Sequence, residues 1–461
     1  MTRRAGVALG ISVLALTVHT PQAQQIVPLV DLPPASAKTP ATVGAVFGLR
    51  QTADGNVLVN DALRRQLLLF DTTLATFSVV MDSTSGSSTS YGPRATPLIP
   101  YRGDSSLFAD WNSRTVMVID GRGKYAHALA LPRPQDMIAL NAAASGFDAK
   151  GRLIFQGGRI GNGAAGMRAE TELTDSLLLL RADFDLRRVD TIARVARPVM
   201  KLTTQKGPGG TITTVFTLDP LQASDEWAVL SSGAVAIVRG HDYHVDWIGA
   251  DGATKSTGKL PFDWKRLGDD DKQKISDSLR AAQDSLLAIG YPAAESTIRG
   301  PVPCGRPDGA LAADVGDGRG GGRSGGGGGD LPPATAGGCT EFLRSIPPVV
   351  GPSMLARPAM PPLADLQRAG PISDYAPPMR VNATMPDLDD NVWILPRVST
   401  LSKRGELVYD VVNANGVLVR RVRLPLGRAV VGFARGGVVY LTSGDMKSGY
   451  YLERTRLSSN R

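Results

Sequence analysis

The chain has 461 residues, 42% of them hydrophobic and only 6% aromatic, and 51 Lys and Arg against 43 Asp and Glu leave a net charge of +8. That apolar share is ample for a packed core and excludes a disordered chain, while the charge is basic but mild. The 52 glycines and 32 prolines exceed ordinary usage and demand many turns.

Arg3 and Arg4 precede an apolar stretch over 5–18, and Pro21-Gln22-Ala23 offers a small residue for cleavage. This is the plan of an export signal, too short for a membrane span, so 1–23 is expected to be a signal peptide and the protein periplasmic or secreted. The arginine pair lacks the hydrophobic residues that usually follow it in a twin-arginine signal, so general secretion is the expected route. No later apolar run reaches about 18 residues, so no membrane span is expected.

From residue 54 onward a unit recurs: a Gly/Asp turn, a short apolar run, and a second run ending in Asp or Gly. The copies are VLVND with QLLLFD; SLFADWNS with TVMVID; RLIFQGG with SLLLLRADFD; AVAIVRG with HVDWIGADG; VWILPRV with ELVYDVVNANG; and VVYLTSG with YYLERTRL. Runs of four to eight Val, Ile and Leu between turn residues favour strands, each pair a hairpin. A third run often follows and ends in Leu-Pro, at Pro132, Pro261 and Pro425. Proline is tolerated at the end of an edge strand, so this run marks the outer strand. The sixth unit runs out of chain before its own outer strand, and IVPLVDLP over 26–33 carries the same Leu-Pro ending. Residues near the N-terminus are therefore expected to complete the last blade and close the ring.

Four-stranded units repeated about an axis make a β-propeller, in which sheets bury their faces on their neighbours. The expected fold is all-β: a six-bladed β-propeller closed by an N-terminal strand. Blades one to four and the closing strand occupy 24–262, and blades five and six 380–461. Between them 263–379 forms an insertion, part helical and part disordered. Without signal and insertion, roughly 53 residues remain per blade, slightly above the roughly 40 to 45 of compact repeats.

DGNVLVNDALRRQLLLFD over 54–71 resembles an NHL-type repeat, and most of the chain after the signal is similar to the six-bladed propellers of that superfamily found in exported bacterial proteins. Blades three to six depart from the repeat, lacking the Asn/Arg pair in the hairpin. The superfamily holds both binding scaffolds and metal-dependent lactonases, so the resemblance speaks to fold more than function.

The long connections, 82–94, 133–142, 159–174, 197–224 and 263–379, all fall on one face in this register. The opposite turns, such as 71–75, 120–124 and 251–254, are short. Loops on a rigid scaffold are where binding concentrates, which makes the loop-rich face the candidate site. In the insertion, Ile275, Leu279, Ala282, Leu286 and Ile289 form one apolar stripe. A helix is expected over about 269–289, with Asp269 to Asp271 at its start and Gly290 at its end. The stretch of about 300–362 is Gly/Pro-rich low complexity and reads as flexible linker. It contains the two cysteines, Cys304 and Cys339, which are expected to form a disulfide in an oxidising compartment.

Several motifs have a plain reading. Gly161-Asn162-Gly163-Ala164-Ala165-Gly166 fits a dinucleotide-binding glycine pattern, but 167–174 is too short and polar for the crossover helix such a site needs. Gly322-Arg323-Ser324-Gly325-Gly326 matches a serine-hydrolase pattern inside a glycine tract, where no strained elbow can form. Asp54, Asp104, Asp148, Asp387, Asp389 and Asp390 mostly stand in short turns, and turn formation accounts for them.

The remaining candidates are the basic residues of the loop-rich face and two histidines. Arg94, Arg133, Arg239, His241, His244 and Arg397 form the candidate ligand-binding set, suited to an anionic small molecule, a polysaccharide or a cell-envelope protein. Nucleic acid is not expected, because an exported chain without interleaved aromatics lacks a stacking platform. The leading reading is an exported, monomeric, non-catalytic binding scaffold with no cofactor. The alternative, implied by the resemblance, is a lactonase-like hydrolase with Ca or Zn in the central channel, although no inner-strand carboxylate can be assigned to that ion.

Overall fold

The structure is a computed structural model and describes residues 27–83, 90–92, 96–110, 115–141, 145–157, 170–172, 176–197, 200–206, 212–219, 221–288, 297–298, 372–397, 399, 401, 406–445 and 448–458. Six four-stranded antiparallel blades follow one another in sequence, making a six-bladed β-propeller. Blade one is Val46–Gln51, Val57–Asp61, Gln66–Phe70 and Phe77–Met81. Blade two is Leu98–Pro100, Ser106–Asp110, Thr115–Ile119 and Tyr125–Leu129. Blade three is Gly146–Phe147, Leu153–Gly157, Ser176–Asp183 and Arg188–Ala196. Blade four is Glu226–Val229, Val235–Arg239, His244–Ile248 and Thr254–Ser256. Blade five is Met379–Pro386, Val392–Pro396, Val408–Val412 and Leu418–Arg423. Blade six is Arg428–Ala434, Val438–Asp445, Gly449–Arg456 and the N-terminal Ala37–Lys38.

The apolar runs are the second and third strands. Val57, Val59, Leu67 and Leu68 are all buried, because these strands are covered on both faces and need no polar alternation. Fourth strands lie at the rim, and Thr254–Ser256 is wholly exposed. The innermost strands touch in succession from blade six through one, two, three and four to five. Each pair of neighbouring blades shares an apolar core: Phe70 with Tyr440, Leu58 with Phe108, Leu107 with Phe155, Ile154 with Trp227, and a larger cluster joining blades four, five and six around Trp247, Trp393 and Phe433.

Turn chemistry holds the short-turn face. Asp148 Oδ1 accepts from Lys150 N and Arg152 N, both at 2.9 Å, and Gly151 takes the left-handed φ of +72° that closes the turn. Asp387 does the same for Asp389 N and Asn391 N, with Asp390 at φ +59° in the glycine's place. The Asp390 carboxylate then accepts from Ser231 Oγ at 2.7 Å and Ser232 N at 2.8 Å, joining blades four and five.

Two features differ from the sequence expectation, while the insertion helix falls where it was expected. An N-terminal strand completes blade six as expected, but it is Ala37–Lys38 and not the Leu-Pro segment. Leu29–Asp31 instead adds in parallel to the outer strand of blade five, Pro33-Pro34 ends that pairing, and Ala37–Lys38 pairs with Arg454 and Glu453. The long connections 159–174 and 197–224, expected as loops, contribute strands. Met200–Lys206 and Ile212–Leu218 form a hairpin in register from Met200↔Leu218 to Lys206↔Ile212, flanked by Glu170–Glu172 and Thr297–Ile298 in a seventh sheet outside the ring. The insertion helix spans Asp269–Ala288. Ile275 packs beside buried Leu221, Leu267 and Ala376, while Lys272 Nζ bonds Asp374 Oδ1 at 2.6 Å, so the two described ends of the insertion are tied together. Cys304, Cys339 and the Gly161 and Gly322 motifs lie outside the described residues.

Ring closure rests on few bonds. Thr39 is buried; its N donates to Leu452 O at 2.9 Å and its Oγ1 accepts from Leu452 N at 3.1 Å. Thr39→Val keeps the shape but strands a buried N–H, so it is expected to cost roughly 1–3 kcal/mol in denaturant unfolding. Wild-type stability in that variant would contradict this account of the closure.

Candidate functional site

Blade four gives the loop-rich face its charged centre. Buried Asp225, just before the innermost strand, accepts from Ala196 N at 2.9 Å, Gly240 N at 3.1 Å and Arg239 Nη1 at 2.6 Å. Arg239 Nε reaches Asp246 Oδ2 at 2.7 Å, and Asp246 Oδ1 accepts from Ser256 Oγ at 2.5 Å. His244 lies between two carboxylates, Nδ1 at 2.6 Å from Asp242 and Nε2 at 3.2 Å from Asp246. Burial works against charge at both Arg239 and Asp246. Even so, Asp246 and Asp225 raise the Arg239 guanidinium above its ordinary value, and Ser256 and Arg239 hold the Asp246 carboxyl below its own. Arg239 and His244 are thus committed to bracing the turn.

His241, in the same turn, faces outward. It borders a cleft of about 450 Å³ together with Leu221, Gly240, Trp264, Asp374 and Tyr375. The cleft lies where the blade-four turn, the connection from blade three and both described ends of the insertion meet. Trp264 is 46% and Tyr375 50% exposed, large areas for aromatic side chains. An aromatic row sets the Trp264 ring, with Tyr243, Phe262 and Trp264 spaced by 5.7 and 5.2 Å. Its inner end is fixed: fully buried Tyr243 donates from its hydroxyl to Asp410 Oδ2 at 2.7 Å, and Arg421 Nε donates to Asp410 Oδ1 at 2.9 Å. Burial raises both the Tyr243 hydroxyl and the Asp410 carboxyl, with the Asp410 charge adding to the first and Tyr243 and Arg421 opposing the second.

The other candidates lie apart. Arg133 is held by Asp136 through Nε at 2.8 Å and Nη2 at 3.2 Å, at the start of the 3-10 helix Pro134–Asn141. Arg397 follows the second strand of blade five, where its N donates to Pro378 O at 2.8 Å. Arg94 lies outside the described residues. The structure therefore brings together Arg239, His241 and His244, and adds Trp264, Asp374 and Tyr375, which the sequence reading did not single out. The aromatic pair Phe262 and Trp264 directly after the Leu-Pro ending of blade four was the available signal.

Among the described inner strands Glu226 is the one carboxylate. It is buried, with Arg197 Nη1 at 3.5 Å from Oε1, and burial raises its carboxyl above the ordinary value despite that arginine.

No family model matches the chain, and no curated protein matches it. Solved structures similar to it include a member of the DUF4221 family from Bacteroides vulgatus, at 8% identity and TM-score 0.38, covering 92% of this chain and 97% of that one. Virginiamycin B lyase from Staphylococcus aureus aligns at 9% identity and TM-score 0.34, covering 90% and 96%. The calcium-binding protein regucalcin from Agrobacterium tumefaciens aligns at 12% identity and TM-score 0.23, covering 51% and 80%. Likenesses at this level carry nothing about function, and the fold stands on the strand topology itself.

Glu226 sets a pH dependence. Its native value is raised, so its contribution to stability is fully present below the ordinary glutamate value of 4.5 and is lost as pH rises through the native one. The unfolding free energy of wild type minus Glu226→Gln is therefore expected to fall from pH 4 to pH 7. A pH-independent difference would contradict this.

Proposed function

We propose that this protein is an exported propeller scaffold that binds a ring-bearing polar ligand, a segment of polysaccharide or cell-envelope polymer, in the cleft between blade four and the insertion, without catalysing a reaction. The observation that carries this reading is the pair of half-exposed aromatics, Trp264 and Tyr375, beside His241. Aromatic faces pack on the C–H faces of sugar rings, while an imidazole, Asp374 and turn amides supply directional hydrogen bonds. Export rests on the charged and apolar pattern of 1–23. In the described residues no helix is long and apolar enough to cross a membrane.

The lactonase-like alternative needs several oxygen donors converging in the channel. The described inner strands offer Glu226, which faces an arginine, and among the described residues no three His, Cys, Asp or Glu side chains gather in a metal-holding group. This donor set does not fit a channel cation, so the binding reading is preferred.

Calorimetric titration with a panel of neutral and acidic oligosaccharides tests the proposal. At least one is expected to bind, and Trp264→Ala combined with Tyr375→Ala to weaken it about tenfold or more, near 1.4 kcal/mol per decade. Both side chains are exposed enough for the variant to fold. Unchanged affinity in the double variant, or a panel without a binder, would refute the assignment.

A further inference from the structure

The short-turn face carries a second cleft of about 450 Å³ at the seam between blades six and one, where the N-terminal strand closes the ring. It is bordered by Arg435, Arg454 and Arg456, with Ser36, Gln51 and Val438. Its origin is legible in the strand Gly449–Arg456. Alternate residues share a sheet face, so Tyr450, Leu452, Arg454 and Arg456 all lie on one side. Tyr450 and Leu452 are buried in the core shared with blade one. The last two places on that side hold guanidiniums, so the apolar interface ends in positive charge at the rim. Register sets Arg454 opposite Tyr440 and Arg456 opposite Val438.

The third arginine arrives by a tight turn. After the innermost strand Arg428–Ala434, Gly436 and Gly437 both take left-handed φ, +74° and +73°, and leave Arg435 exposed above Val438. Arg454 is oriented by donating to the Thr72 carbonyl of blade one. No carboxylate lines the cleft, and among the described residues none of these three arginines forms an ion pair. By contrast, Arg428 is matched by Glu453, Arg421 by Asp410, and Arg423 by Asp31 and Glu406. Three like charges converging on one cavity repel each other, and an anion between them removes that cost while gaining charge-assisted hydrogen bonds. Ser36 Oγ and the Gln51 amide add neutral polar groups around it.

We propose that this cleft binds a tetrahedral oxyanion, phosphate or sulfate, either free or as the ester head of a small molecule. It is separate from the loop-face cleft, lying on the opposite side of the ring, and does not depend on the function proposed above.

The test is calorimetry on the whole protein at constant ionic strength set with sodium chloride, using inorganic phosphate, inorganic sulfate and glycerol phosphate as probes. Saturable one-site binding of at least one probe is expected. Tighter binding of glycerol phosphate than of phosphate identifies the ester source, and the reverse the free ion. Arg435→Gln with Arg456→Gln is expected to weaken binding about tenfold or more. Arg122→Gln, on the same face but away from the cleft, is expected to leave it unchanged. As a second readout in the unaltered protein, the bound probe is expected to shield Arg435 and Arg456 from phenylglyoxal, followed by peptide mass. Lack of saturable binding by any probe, equal affinity in the double variant, equal loss in Arg122→Gln, or unshielded arginines would overturn the proposal.

Discussion

Each blade is apolar on both faces, and only a closed ring gives every face a partner. Val57, Val59, Phe155, Trp227, Trp393 and Tyr440 are almost wholly buried, yet each lies in a thin sheet that would expose it alone. Full burial of one such side chain contributes roughly 1.5–3 kcal/mol, so an unpaired blade face would forfeit a large share of the fold's stability. Two residues, Ala37 and Lys38, complete the last blade, helped by Thr39 and by Val43, which bridges to Tyr450. The rest of the molecule depends on that short seam.

The ring has two unlike faces, and their difference organises the function. On one, Asp and Asn side chains fold the turns back on themselves, and bonds such as Ala53 N to Asp104 and Ser232 N to Asp390 join neighbouring blades. On the other, long connections build a seventh sheet, a helix and a cleft. The cleft is positioned by buried polar contacts in blade four, where Asp225 gathers Arg239, Gly240 and Ala196, and Tyr243 reaches across to Asp410 in blade five. A buried network of this kind holds a turn in one arrangement because any shift leaves a charged group unpaired. His241 and Trp264 therefore project from a rigid base.

The strands of the ring were legible because second and third strands are covered on both faces and read as unbroken Val, Leu and Ile runs. Closure by Ala37–Lys38 was not, since a two-residue edge strand held by backbone bonds needs no apolar pattern, whereas IVPLVDLP advertised an edge that belongs to blade five. The seventh sheet has a signal in the sequence: TITTVFTL is rich in β-branched residues and follows the turn-favouring sequence Gly-Pro-Gly-Gly. The site was harder to read. Arg239 resembles a free rim cation until the fold brings Asp225 and Asp246 to it, and Trp264 and Tyr375 meet only across the long insertion. Charge counts along a chain cannot show which cations are already neutralised.

Hydrogen exchange along the seam tests the central claim, that the ring is closed through the N-terminal strand, most directly. The account predicts that the amides of Thr39, Val43 and Leu452 exchange only with global unfolding, as slowly as those of Val57–Asp61 in blade one. Rapid exchange at Thr39 and Val43 while blade one stays protected would show an open ring and contradict it.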